Sequence, residues 1–222
     1  LENKEKSSRW YPGAGLYRNV RLVKTSPVHV PTWGTYVTTP YVSAGEASVR
    51  LSTEIAGAKK GEKIMVKTDI VDPDGKTVAT NNSMYHAQGQ PFVQDFLVEN
   101  PRCWSTDTPW LYEARTTLSI DGRETDRYTT RFGIRSLDYI PEKGFFLNGE
   151  YTKFKGVCMH HDLGPLGAAV NRAALAHQIE MLKEMGANAI RTSHNMPAPE
   201  LVELCDQMGM ILMVEPFDEW DI

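Results

Sequence analysis

The sequence predicts a mixed, multidomain chain in which an immunoglobulin-like antiparallel β-sandwich is followed by a parallel βαβαβ unit. Fifteen of the 18 threonines lie between Thr32 and Thr130, and threonine favours the half-buried surfaces of strands. Seven of the nine methionines follow residue 150, and methionine commonly fills cores between helices. The boundary between the two halves is marked by a cluster of turn-forming residues, namely Pro141, Gly144, Asn148 and Gly149.

The first half shows the alternation that is typical of strands with one buried face. In the segment 47–55, Val49, Leu51, Thr53 and Ile55 fall on the same side. Tight turns are predicted at 72–75, where Pro and Gly set the backbone angles, and at Asp121-Gly122. Further strands are expected at 63–71, 92–98, 112–120 and 125–134. Short strands separated by turn signals over about 100 residues indicate a β-sandwich.

The second half alternates apolar strands with helical periodicity. Strands are expected at 154–159, 188–191 and 210–214. Between the first two, Leu175, Ile179 and Leu182 lie on one helix face, and Gly186 ends the helix. A second helix is predicted from Pro199 to Gly209. Units of this kind build doubly wound sheets or (β/α)₈ barrels.

Composition excludes several classes of protein. The chain has 222 residues and 24 Lys plus Arg against 28 Asp plus Glu, a net charge of −4 with no basic stripe, so no nucleic-acid partner is expected. No apolar run approaches the roughly 18 residues of a membrane span, so no membrane partner is expected either. Cys103, Cys158 and Cys205 lack metal-site spacing, and we expect each to be a small buried residue.

The ends of the chain indicate an internal fragment. An eightfold barrel needs about 250 residues, whereas only about 75 follow the boundary. We expect a soluble protein. Both a cytoplasmic and a periplasmic or secreted location remain open, as does assembly into a homo-oligomer.

Polar residues cluster where each of the three parallel strands ends. These are His160-His161-Asp162, the run from Arg191 to Asn195, and the run from Glu215 to Trp220. Because ligands bind at the carboxyl ends of strands in parallel α/β architectures, we expect a functional site there. The alternative is a rim of solvated loops without a ligand.

Two chemistries compete for this rim. Metal-assisted hydrolysis would use His160, His161, His194 and Glu215, but adjacent strand residues point to opposite faces and the His-x-His pair of barrel metallohydrolases is missing. Carbohydrate chemistry needs hydrogen-bonding groups for hydroxyls and an aromatic platform. His160, Arg191, His194, Asn195 and Trp220 are suitable types. No phosphate-binding glycine motif occurs. We therefore favour carbohydrate and predict no metal ligands.

Several motifs fit one known family in order and spacing. The most specific stretch is Asn-Ala-Ile-Arg-Thr-Ser-His-Asn at 188–195, followed by Leu-Cys-Asp-Gln-Met-Gly at 204–209. Supporting motifs lie at 8–18, 104–112, 132–135 and 155–162. On these residues the chain resembles glycoside hydrolase family 2, the family of β-galactosidases and β-glucuronidases. It departs in having Asn195-Met196-Pro197 where many members have a Tyr-Pro pair.

The resemblance implies a division into three domains. Residues 1–25 would be the tail of a jelly-roll sugar-binding domain and 26–136 an immunoglobulin-like β-sandwich. Residues 137–222 would be the first three βα repeats of the catalytic TIM barrel. Trp10, Trp33, Trp104 and Trp110 are expected to pack in the sandwich or at domain junctions rather than to bind sugar.

The family reaction uses two glutamates and retains the anomeric configuration. The acid/base Glu follows an Asn after barrel strand four and the nucleophile lies on strand seven. The chain contains no Asn-Glu dipeptide, so we expect neither catalytic carboxylate here and no hydrolysis by this chain alone.

The resemblance assigns supporting roles to five residues. Arg191 resembles the arginine that orients the nucleophile's carboxylate, and His160 and His194 resemble histidines that bind sugar hydroxyls, with His161 as the alternative to His160. Asn195 is the remaining sugar-contact candidate, and Glu215 is expected to be a structural or supporting carboxylate. No cofactor is expected, although a divalent or sodium ion in the full enzyme remains open.

By resemblance the parent protein is a retaining exo-β-glycosidase acting on a carbohydrate substrate, and the His-His-Asp motif favours a β-galactosidase. β-Glucuronidase and β-mannosidase remain alternatives. A different class, a non-catalytic scaffold or carbohydrate-binding module, also remains open.

Overall fold

A computed structural model describes residues 16–216, which form a seven-stranded sandwich, a short hairpin sheet and a parallel βαβαβ unit. The sandwich strands are β1 (Thr35–Val42), β2 (Glu46–Thr53), β3 (Lys63–Val71), β4 (Thr77–His86), β5 (Phe92–Glu99), β6 (Tyr112–Ile120) and β7 (Arg123–Phe132). Then come β8 (Leu137–Ile140), β9 (Gly144–Leu147), β10 (Glu150–Tyr151), β11 (Gly156–Met159), α1 (Arg172–Glu184), β12 (Ala189–Thr192), α2 (Pro199–Met208) and β13 (Ile211–Met213).

Two antiparallel sheets form the sandwich, with strand orders β1-β2-β5 and β4-β3-β6-β7. Val49, Leu51 and Thr53 on β2 are almost fully buried, as their alternation predicts. The hairpin between β6 and β7 turns at Asp121 and Gly122, which both have positive φ (49° and 77°), as the tight turn requires. The sandwich predicted from the sequence is confirmed.

A buried polar network crosses the sandwich core. The Thr68 hydroxyl lies 2.8 Å from Gln94 Oε1 and 2.9 Å from the Thr116 hydroxyl. The Gln94 amide nitrogen donates to the Val66 carbonyl (3.2 Å) and to Asn81 Oδ1 (3.2 Å). Burial without partners would be costly for each of these groups, so the network ties β5 to the opposite sheet at a defined register.

The parallel unit follows the predicted order, with β11, β12 and β13 side by side. The Asn171 side chain caps α1 by accepting from the Ala174 N–H (3.0 Å). Gly209 ends α2 in the left-handed conformation (φ 73°). Ile179, Ile190 and other apolar side chains of both helices and of the sheet pack into one core. The sandwich and this parallel unit agree with the predicted fold class. The domain bounds at residues 25/26 and 136/137 remain predictions.

Trp104 joins the sandwich to the parallel unit. Its side chain is 3% exposed and packs with Phe145 and Leu147 of the β8–β10 hairpin. The indole Nε1–H donates to the carbonyl of Asp206 on α2 (2.8 Å). A Cβ on Gly133 would lie 2.7 Å from Trp104 Cβ, so this tight contact requires glycine at residue 133. Trp104 therefore belongs to a domain junction, as predicted.

Two other tryptophans and one cysteine depart from expectation. Trp33 is 79% exposed and Trp110 is 40% exposed, with the Arg102 guanidinium 4.7 Å from the Trp110 ring, so neither is packed in the sandwich. Trp10 lies outside the described residues. Cys158 is exposed rather than buried, because it points away from the helices.

Residues 16–26 run without regular structure and contact the parallel unit. Arg18 donates from its two terminal nitrogens to the carbonyls of Pro197 (3.2 Å) and Met196. Asn19 and Arg21 both contact Glu200 Oε1, at 2.8 and 3.3 Å. This segment therefore holds the loop between β12 and α2 in place.

Neither α1 nor α2, the two α-helices between residues 16 and 216, is long and apolar enough to cross a membrane.

Candidate functional site

Parallel pairing brings the carboxyl ends of β11, β12 and β13 to one edge of the sheet. Cys158 on β11 is paired with Arg191 on β12, and Arg191 is paired with Met213 on β13. Glu215 lies two residues after Met213, just beyond the end of β13. The polar runs after the three strands therefore meet, as the sequence predicts. Phe217 and the remaining residues of the third run, including Trp220, lie outside the described residues.

Glu215 lies at the centre of the cluster. Its Oε1 accepts from Arg191 Nε at 2.7 Å and also contacts Arg191 Nη2. Its Oε2 lies 3.0 Å from His194 Nδ1. One carboxylate thus links a residue inside β12 to a residue three positions later. The side chains of Glu215 and His194 are 25% and 23% exposed, so both are partly shielded from water.

The chain direction after β12 allows this meeting. On a continued strand Arg191 and His194 would point to opposite faces. The strand ends at Thr192, so the chain leaves the strand before it reaches His194. The Thr192 hydroxyl, on a residue that is 4% exposed, accepts from the Glu215 backbone N–H at 2.9 Å. Glu215 is therefore held by its backbone as well as by its carboxylate.

The two adjacent histidines separate, as strand geometry predicts. The His160 ring lies 5.4 Å from the His194 ring, edge to face. His161 instead stacks on Tyr17, with ring centres 5.9 Å apart. Burial, and then the nearby Arg18 charge, lower the pKa of His161. His160, rather than His161, therefore shares the side of the sheet edge with Glu215.

Asn195 does not join the Glu215 cluster. Its amide nitrogen lies 3.4 Å from His161 Nδ1, on the side of Tyr17. Among the five predicted site residues, the structure brings together His160, Arg191, His194 and Glu215 and places Asn195 next to His161.

Cys158 is a neighbour of this cluster that sequence reasoning assigned to the core. Arg191 Nη1 donates to its sulfur at 3.2 Å. The Ser193 hydroxyl, and next the Arg191 guanidinium, lower the pKa of the Cys158 thiol. The hydrogen bond to the Cys158 sulfur, and next that to Glu215, raise the pKa of Arg191. The signal that could have placed Cys158 near the site is the pairing of the two parallel strands, in which Cys158 lies directly opposite Arg191.

The metal alternative required His160, His161, His194 and Glu215 to converge on one point. Its four ligands do not converge, because His161 is directed to Tyr17 while the Glu215 carboxylate is engaged by Arg191. Across residues 16–216, no group of three or more His, Cys, Asp and Glu side chains is arranged to hold a metal ion.

Comparison with known proteins gives matches over most of the chain. The model of glycosyl hydrolases family 2 matches residues 28–135, and that of the family 2 TIM barrel domain matches residues 139–219. A β-galactosidase of Bacteroides ovatus is 48% identical over 99% of this chain and 26% of its own length. A β-glucuronidase of Bacteroides fragilis is 29% identical over 91% of this chain and 30% of its own length.

Solved structures show the same likeness. A β-glycosidase from Bacteroides vulgatus superposes with a TM-score of 0.88 at 36% identity, covering 95% of this chain and 27% of that one. A family 2 glycosyl hydrolase from Bacteroides cellulosilyticus gives a TM-score of 0.84 at 38% identity, covering 88% and 26%. The chain thus spans about a quarter of the length of the relatives it matches.

Proposed function

This chain belongs to glycosyl hydrolases family 2, and on that premise we propose that it is part of a retaining exo-β-glycosidase that removes terminal galactose. The observation that carries the proposal is the cluster around Glu215, where three strand ends gather two histidines and an arginine at the rim. Imidazole and guanidinium groups are suited to the hydroxyls of a sugar and to the carboxylates that attack it.

Arg191 is proposed to orient the nucleophile. The guanidinium has five N–H groups. Contacts to Glu215 and Cys158 engage Nε, Nη2 and Nη1, which leaves one N–H on each terminal nitrogen without a partner among residues 16–216. This outer edge has the fork geometry that binds a carboxylate with two parallel hydrogen bonds.

His160 and His194 are proposed to bind hydroxyls of the terminal sugar. Their rings lie 5.4 Å apart at the same side of the sheet edge. The two catalytic glutamates are proposed to come from barrel strands four and seven, with carboxyl groups about 5–5.5 Å apart, as retention requires. Asn195 is proposed to contribute through His161 rather than through the Glu215 cluster.

The charge balance of the rim favours a neutral sugar. Glu215 neutralises Arg191, and Arg18 is engaged by the carbonyls of Met196 and Pro197. A uronic acid would need a further cation for its carboxylate. The 48% identity to a β-galactosidase supports the same choice. β-Glucuronidase is the second candidate, because the Bacteroides fragilis relative carries that name.

We also propose the domain layout implied by the family. Residues 1–25 are the tail of a jelly-roll domain, 26–136 the sandwich and 137–222 the first three barrel repeats. The matches at 28–135 and 139–219 lie within these bounds and support them.

Binding of sugars to this chain tests the proposal. Galactose and glucuronate are titrated separately while the imidazole resonances are followed by NMR. We expect weak, saturable binding of galactose that His194→Gln weakens, whereas His177→Gln, the same change at an exposed position on α1, leaves binding unchanged. Tighter binding of glucuronate would favour the second candidate, and the absence of binding to either sugar would favour the scaffold alternative.

Hydrolysis is the second test. We expect no release of nitrophenol from nitrophenyl β-galactoside by this chain, and release by the full-length protein. Turnover by the purified chain would show that the catalytic carboxylates lie within it.

A further inference from the structure

We propose that Glu215 is a positioning residue that fixes which nitrogen of His194 carries the proton, and so makes Nε2 of His194 the acceptor for a sugar hydroxyl. The inference rests on the proposed function for its ligand but on geometry for its mechanism. It assigns to Glu215 a role in sugar recognition that is exerted through its neighbours, without contact between its carboxylate and the sugar.

Donors and acceptors determine which nitrogen of the His194 ring carries the proton. An ionised carboxylate only accepts hydrogen bonds, and a neutral imidazole has one donor nitrogen and one acceptor nitrogen. Glu215 Oε2 lies 3.0 Å from His194 Nδ1, within hydrogen-bond distance. The proton must therefore be on Nδ1, and Nε2 of the neutral ring is the acceptor.

The position of Glu215 is fixed independently of any ligand. Its backbone N–H donates to the buried Thr192 hydroxyl at 2.9 Å. Its other carboxylate oxygen accepts from Arg191 Nε at 2.7 Å. These two anchors leave Oε2 for His194 alone among the side chains that the structure describes, so the imidazole is oriented before substrate arrives.

The arrangement also separates the tasks of the two rim residues. Arg191 is held on the Oε1 side and can act only as a donor, while His194 on the Oε2 side presents an acceptor nitrogen. A site that holds both kinds of group distinguishes a hydroxyl that donates from one that accepts. Loss of the correct tautomer would therefore weaken sugar binding without removing any side chain that touches the sugar.

Glu215→Gln provides a sharp test because glutamine keeps the shape and replaces one oxygen by an NH₂ group. The Arg191 donors require an oxygen, so the NH₂ group should face His194. Nδ1 must then accept, and the proton moves to Nε2. A merely structural role of Glu215 would not invert the tautomer.

The measurement is long-range ¹H–¹⁵N NMR of the His194 ring at about pH 9, where histidine is ordinarily neutral. We expect the Nδ1–H form in the unaltered chain and the Nε2–H form in Glu215→Gln. Glu203→Gln is the control. It removes an exposed carboxylate of α2 that pairs with Arg172 of α1 at 2.8 Å, and it should leave the Nδ1–H form unchanged. An Nε2–H form in the unaltered chain would overturn the proposal, and this result does not depend on whether the variant folds. An unchanged tautomer in folded Glu215→Gln would overturn it as well.

Galactose titration of the same samples tests the link to binding. We expect affinity to fall about threefold to tenfold in Glu215→Gln, the range for loss of one neutral hydrogen bond. If the tautomer inverts but the unaltered chain binds no galactose, the proposed function fails while the positioning role stands. If galactose binds equally to both chains, the role in sugar recognition is refuted.

Discussion

Replacing Trp104 by phenylalanine should loosen the junction between the sandwich and the parallel unit. The change keeps an aromatic ring but removes the indole N–H that donates to the Asp206 carbonyl at 2.8 Å, at a site where Trp104 is 3% exposed. Loss of this partly buried hydrogen bond costs about 1–2 kcal/mol. The smaller ring adds a cavity that costs about 1 kcal/mol. We expect the free energy that is needed to open the junction to fall by about 2–3 kcal/mol in total.

Hydrogen exchange localises this effect. A change of about 2–3 kcal/mol corresponds to exchange about 30- to 150-fold faster for the amides of α2 that open with the junction. Trp110→Phe is the matched control, because that ring is 40% exposed and its main contact is the Arg102 guanidinium at 4.7 Å. It should cost less than about 1 kcal/mol.

Two results would refute this reasoning. If α2 exchanges equally fast in the Trp104→Phe and Trp110→Phe chains, the indole hydrogen bond does not stabilise the junction. If β3 and β6 accelerate as much as α2, the sandwich and the parallel unit open together rather than at their contact.

Three further predictions concern single residues. The exposed Cys158 thiol has a lowered pKa, whereas burial raises the pKa of Cys205 to about 12, so iodoacetamide should alkylate Cys158 at lower pH than Cys205. Mass spectrometry of the labelled peptides over a pH series checks this, and equal pH profiles for the two cysteines would contradict it. The hydrogen bond from Arg115 lowers the pKa of Glu113, so the unfolded state binds more protons and this contribution to stability is lost as pH falls. Glu113→Gln should therefore destabilise the chain at neutral pH, with the loss shrinking at acid pH in thermal melts, and a loss that grows at low pH would be inconsistent with this sign. Gln94→Leu should destabilise the sandwich by about 1–3 kcal/mol in urea unfolding, because it removes one member of the buried network. Gln88→Leu, the same change at an exposed residue, should alter the free energy of unfolding by less than about 0.5 kcal/mol. Similar urea midpoints for the two variants would show that the network does not stabilise the sandwich.

Among the strands that were predicted from the sequence, four in the sandwich have one clearly buried face. On β2, β3, β5 and β6, buried and exposed residues alternate, so the hydrophobic pattern is visible in the sequence. Both helices carry a periodic apolar face and an end signal, Gly186 for α1 and Gly209 for α2. Local patterning suffices in such elements because burial alone selects the residues.

The strands that were missed carry no such pattern. β1 and β4 lie at sheet edges and are exposed or half-buried over most of their length, so alternation is weak. The hairpin of β8, β9 and β10 lies within the segment that was predicted as a turn-rich boundary, since its strands are only four, four and two residues long. Pairing with neighbours, rather than the local sequence, determines these elements.

The roles proposed for the site residues stay predictions, and their arrangement at the sheet edge could be predicted only in part. Parallel strand order was enough to bring Arg191, His194 and Glu215 to one edge. That Glu215 would link the other two depended on the path of the chain after Thr192, which periodicity does not encode. The same path places Asn195 beside His161 and away from Glu215. The types of the neighbouring residues in the sequence do not predict this separation of Asn195 from His194.

The contacts of Arg18 have a consequence for how the chain folds. Arg18 holds the carbonyls of Pro197 and Met196 across 179 and 178 positions of sequence. Contacts of such separation close a long loop, and their entropic cost is met only after the intervening sandwich has become compact. The loop that carries His194 should therefore acquire its native shape late in folding, after both the sandwich and the parallel strands. During synthesis from the amino terminus Arg18 is made long before Met196 and Pro197, so the loop between β12 and α2 can gain these contacts only after the intervening chain has been made.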